Sequence, residues 1–93
     1  MYDIFATKRY TKSIARLRQD KSWNEENVRV LLRLLMRGDP LPAKYEDHQL
    51  RGSMSAYRES HIKHDLLLTY VRNETKKTIM LSNIGTHDDL FGK

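Results

Sequence analysis

All four histidines of this chain, His48, His61, His64 and His87, fall in its C-terminal half, beside Asp47, Glu59 and Asp65. Imidazole has an ordinary pKa of about 6.5, so it can both take and give a proton near neutrality. A substrate that carries its own nucleophile needs little more than such groups. RNA is one: its 2′-hydroxyl attacks the neighbouring phosphorus once its proton is removed. The departing 5′-oxygen must then be protonated, and a cation must steady the charge that builds between them. DNA hydrolysis has to activate water instead, usually with carboxylate-bound metal ions.

Other uses of these residues stay open at the level of spacing. By alternation along a strand, Tyr57, Glu59 and His61 share one face and Arg58 takes the other. His61 could be oriented by Glu59, or be an exposed strand histidine beside a solvated carboxylate. His87 follows Gly85 and Thr86, and Leu90 and Phe91 would pin its segment to the core; a surface histidine in a C-terminal turn fits the same spacing. His48, His61, His87 and Asp65 include enough donors for zinc. However, they show no His-x-His, His-x₃-His or His-Glu-x-x-His spacing. Cysteine is absent, which excludes disulfides, thiolate metal sites and a Cys nucleophile. No metal or cofactor is expected.

The elements that must position these groups divide the chain in two. Residues 2–6 read as a first strand. From Thr7 to Asp20, Tyr10, Ile14 and Leu17 fall on one helical face, with Lys8, Arg9, Lys12, Arg16 and Arg18 on the others. Ser22-Trp23-Asn24-Glu25 has the form of a capping box, and Val28, Leu31, Leu32 and Leu35 follow at helical spacing until Gly38 and Pro40 end the helix. Residues 39–56 read as a connecting loop. Strands are expected at 57–62, 65–71 and 78–84, with a turn at 72–75 and one short turn at 88–91. The pattern is α+β: two N-terminal helices packed on one face of a small antiparallel sheet, whose other face carries polar side chains.

Length and charge bound the rest. The 93 residues suffice for one domain, residues 1–93. No apolar run approaches the roughly 20 residues of a membrane span. The opening Met1-Tyr2-Asp3-Ile4 does not resemble a secretory signal, so a cytoplasmic location is expected. Seventeen Lys and Arg against twelve Asp and Glu give a net charge of +5. That balance suits polyanionic partners, either nucleic acid or an acidic protein.

Read together, three ordered segments become specific. They are Pro40-Leu41-Pro42-Ala43-Lys44-Tyr45-Glu46-Asp47-His48-Gln49-Leu50-Arg51-Gly52, Tyr57-Arg58-Glu59-Ser60-His61-Ile62-Lys63-His64-Asp65-Leu66 and Gly85-Thr86-His87-Asp88-Asp89-Leu90-Phe91-Gly92. They resemble the YafQ-type toxins of the RelE superfamily over about half of the chain. The resemblance implies a RelE-like α+β fold and the toxin of a type II toxin–antitoxin pair. Such a toxin is an endoribonuclease that cuts messages in the ribosomal A site without a metal. It also implies a catalytic set of His48, His61, Asp65 and His87, with His87 as the principal acid–base group. Phe91 would position the RNA base, with Arg58 and Glu59 also at the substrate. Glu59 stands where relatives often carry Asp, one methylene longer in reach, and His64 where they often carry Pro. The partner implied is an acidic antitoxin, often with a ribbon-helix-helix DNA-binding half. A non-catalytic RNA- or protein-binding domain on the same scaffold is the alternative.

Overall fold

The computed structural model describes residues 1–92. Strand β1 (Asp3–Ala6) leads into helices α1 (Lys8–Leu17) and α2 (Glu25–Arg37). After two short 3₁₀ turns and a two-residue strand, β2 (His48–Gln49), come β3 (Arg58–Lys63), β4 (Leu66–Asn73), β5 (Thr78–Gly85) and a short helix, α3 (His87–Phe91). One sheet holds all five strands in the order β1-β5-β4-β3-β2. The expected antiparallel pairing holds from β2 to β5. At the other edge β1 lies parallel to β5, Asp3 opposite Thr78, because two helices intervene and return the chain to the same end.

The helices start on side-chain caps. Thr7 Oγ1 accepts the Tyr10 N–H at 3.1 Å and sits 2.9 Å from the Leu81 and Ser82 carbonyls, so the α1 cap is also stitched to β5. The capping box expected at Ser22 does not form. Ser22 donates to Asp20 Oδ1 through both its N–H (2.8 Å) and its hydroxyl (2.7 Å). Glu25 is engaged by Arg18 and by Trp23 Nε1, so it does not reach back. Asn24 caps α2 instead, accepting from the Glu26 N–H at 3.0 Å. Gly38 ends α2 at φ +81°, and a Cβ there would lie 2.6 Å from Tyr2 Cε1.

The helices bury Tyr10, Ile14, Val28, Leu31 and Leu35 against Leu66, Leu68, Tyr70, Ile79, Leu81 and Ile84 of the sheet. Leu31 is fully buried, so Leu31→Ala is expected to cost about 2–5 kcal/mol. Alternation assigns the two faces of the sheet. Arg58 and Ser60 lie opposite Tyr70 and Leu68, on the helix-covered face. Glu59 and His61 lie opposite Thr69 and Leu67, on the open face. Residues 39–57 depart most from expectation. They form turns at Ala43–Tyr45 and Gly52–Met54, and they add β2 to the sheet edge with His48 opposite Glu59.

Candidate active site

Three elements bring the site together on the open face. β2 supplies His48, and β3 supplies Glu59 and His61 two residues apart. Glu59 is 6% exposed. One of its oxygens, Oε1, lies 3.2 Å from His48 Nε2 and 3.6 Å from His61 Nε2. The two rings are tilted, with centroids 6.4 Å apart. His48 Nδ1 is 2.7 Å from the Glu46 carbonyl, so both of its nitrogens face oxygen acceptors. The buried Glu59 carboxylate thus lies between the two imidazoles.

β3 ends in a bulge between His61 and Lys63, and a tight turn at His64 and Asp65 leads into β4. Asp65 sits at φ +55°. Its Oδ1 accepts the backbone N–H of His87 at 3.1 Å, which joins this turn to the start of α3. Thr86 caps α3 in a reciprocal box: its hydroxyl accepts the Asp89 N–H (3.1 Å), and Asp89 Oδ2 accepts the Thr86 N–H (3.0 Å). Gly85 makes room for this box. A Cβ there would come within 2.8 Å of Asp89 Oδ2. Close packing is the requirement; Gly85 is not among the positive-φ positions.

His87 is exposed, and its ring lies 4.9 Å from that of Phe91, one helical turn on. The His87 side of the face opens as a groove of about 450 Å³ lined by Lys44, Lys63, His61, His64, Asp65 and His87, among others. Cationic and proton-transferring side chains therefore face one concavity, next to His48 and Glu59.

The expected set is thus gathered except for Arg58. Arg58 turns to the helix-covered face, as alternation requires, and pairs with Asp47 (2.6 Å). It does not face the histidines. Sequence reasoning did not single out Lys44 and Lys63 in the groove; Lys63 ends the His61 strand, and Lys44 comes from a segment expected to be irregular. Among the described residues, no three His, Asp or Glu side chains are gathered as a metal site, and no helix is long and apolar enough to cross a membrane.

This α+β scaffold matches known proteins. The family described as the bacterial toxin of type II toxin–antitoxin system, YafQ, matches residues 2–92. The chain belongs to that family. It is 36% identical to the mRNA interferase toxin YafQ of Escherichia coli K12 over 91 residues, 97% of this chain and 96% of the relative. It superposes on YafQ in the E. coli DinJ–YafQ complex with a TM-score of 0.86 at 32% identity, covering 99% of this chain and 100% of that one. A metal-bound toxin from Helicobacter pylori superposes with a TM-score of 0.89 at 32% identity, covering 98% and 100%.

Proposed function

We propose that this chain is an endoribonuclease toxin that acts as a single domain in the cytoplasm and cuts messages in the ribosomal A site. Its chemistry is histidine acid–base catalysis with the RNA 2′-hydroxyl as nucleophile. One observation carries this function: His61 and His87, from elements far apart in sequence, line the same groove beside the His48–Glu59–His61 set. The name of the E. coli relative, an mRNA interferase, supports the same substrate.

His87 takes the 2′-proton or protonates the leaving 5′-oxygen, with His48 or His61 as its counterpart. Glu59 orients both partners. Lys44 and Lys63 stand where they can offset charge on the pentavalent phosphorus. Phe91, beside His87, offers a face on which a splayed base can stack. Asp65 acts through the backbone of His87, so its role is positioning. The products would be a 2′,3′-cyclic phosphate and a 5′-hydroxyl.

An acidic antitoxin, with a ribbon-helix-helix half as the resemblance implies, would neutralise the +5 chain. The DinJ–YafQ complex is the precedent among relatives. Cleavage mapping on purified ribosomes carrying a defined message tests the function. The intact chain should cut, and His87→Ala should not, while its thermal unfolding stays at the wild-type midpoint. An intact chain that binds ribosomes without cutting would instead be a non-catalytic binder.

A further inference from the structure

His48 lies on a short strand between Tyr45, which is buried, and Leu50, whose N–H donates to the Tyr57 carbonyl at 2.9 Å. β2 is two residues long, lies at the sheet edge and pairs only His48 with Glu59 and Gln49 with Arg58; both of its residues are exposed. So short an edge strand does not fix a side chain through its ladder alone. The residue before it is Asp47, and alternation sends its side chain to the opposite, helix-covered face.

There the Asp47 carboxylate is saturated. Oδ2 accepts from Arg58 Nε (3.1 Å) and Nη2 (2.6 Å). Oδ1 accepts from Ser60 Oγ at 3.0 Å and from the Tyr70 hydroxyl. All four bonds come from β3 and β4, the strands that carry Glu59 and frame the open face. Burial, together with the bond to Asp47, pushes the Tyr70 hydroxyl well above its ordinary range, so it remains a donor.

A largely buried carboxylate paired with arginine adds little net stability compared with an apolar residue of similar size. We propose that Asp47 is a positioning residue for His48: its carboxylate clamps β2 to the underside of β3 and β4 and thereby holds the His48 ring against Glu59 on the open face. Asp47 touches no substrate. It differs from Glu59, which meets the ring directly, because it acts through the backbone from the opposite side of the sheet.

The proposal rests on the ribonuclease function for its kinetic consequence, and it has a structural consequence independent of it. Asp47→Asn keeps the shape and the Ser60 and Tyr70 bonds but removes the charge that holds Arg58. Cleavage of ribosome-bound message should slow by roughly 10–100-fold with KM changed less than about twofold, as expected for displacement of a catalytic group. In a His48→Ala background the same substitution should cause no further loss. In NMR spectra of the free toxin, a cross-relaxation peak between the His48 and His61 rings should be present in the wild type and lost in Asp47→Asn.

An unchanged rate together with a retained peak would overturn the proposal. So would an equal loss with and without His48, which would make Asp47 a general structural residue. If the wild type cuts nothing, the ribonuclease function fails, and the NMR comparison alone decides the positioning role. If Asp47→Asn does not fold, Tyr70→Phe removes one bond of the clamp and should move both readouts in the same direction by a smaller amount.

Discussion

Asp65 Oδ1 accepts the backbone N–H of His87 at 3.1 Å, so a turn between two strands sets where the last helix begins. The contact makes Asp65 a spacer for the histidine at the mouth of the groove. Asp65 also holds φ +55°, a conformation that Asn tolerates and Ala resists. Asp65→Asn keeps both the acceptor and the turn and should retain cleavage within about threefold. Asp65→Ala loses both. It should be destabilised by about 2 kcal/mol in urea unfolding and cut at least about tenfold more slowly. Equal inactivity of the two variants would mean that the charge of Asp65 acts on the substrate.

Glu59 Oε1 serves two rings at once, 3.2 Å from His48 and 3.6 Å from His61. Glu59→Gln preserves volume and one acceptor but removes the anion between them. Single-turnover cleavage should fall by roughly 10–100-fold, while the thermal midpoint stays near wild type because a neutral amide is cheaper to bury than a carboxylate. A wild-type rate would show that the shared carboxylate takes no part.

Packing at Gly85 should matter as much as chemistry. A methyl group there would stand 2.8 Å from Asp89 Oδ2 and 2.9 Å from its Cβ. Gly85→Ala must therefore push Asp89 away from the Thr86 N–H and shift the start of α3. A stability loss of about 1–3 kcal/mol is expected, measured by urea titration. Cleavage should fall further than the folded fraction does, because His87 moves with the helix.

One ion pair predicts a pH dependence of stability away from the site. Hydrogen bonds from Arg18, then from Trp23, hold the Glu25 carboxyl at about 2, against 4.5 for the free group. A depressed carboxylate stabilises the fold above pH 4.5, and that contribution is lost as pH falls towards 2. Glu25 is 34% exposed and Arg18 53%, so solvent screening limits the effect at neutral pH to about 1 kcal/mol. Urea unfolding of Glu25→Gln should show that deficit at pH 7 and almost none at pH 2.

Much of the site was legible because its parts obey short-range rules. Strand alternation alone grouped Glu59 with His61 and sent Arg58 to the far face. A short turn is expected at 88–91, and helix α3 stands there, starting one residue earlier at His87. What escaped depends on partners distant in sequence. Asp47 is a lone carboxylate until Arg58, Ser60 and Tyr70 surround it. His48 sits in a stretch rich in Pro and Gly that reads as loop, and it joins the sheet only through pairing with β3. Ser22 lost its capping role to Asn24 because Asp20 and Arg18 captured the groups a capping box would use. The parallel edge at β1 has no local signature, since direction follows from the two helices that intervene.

If the message's own 2′-hydroxyl is the nucleophile, moved by histidines on the open face, the ends of the cut message record it. End-group analysis of the cut message tests it most directly. Cleavage of a defined message on purified ribosomes should leave a 2′,3′-cyclic phosphate on one fragment and a 5′-hydroxyl on the other, and His87→Ala should leave neither. A 5′-phosphate paired with a 3′-hydroxyl would mean that an activated water makes the attack and that the 2′-hydroxyl is not the nucleophile.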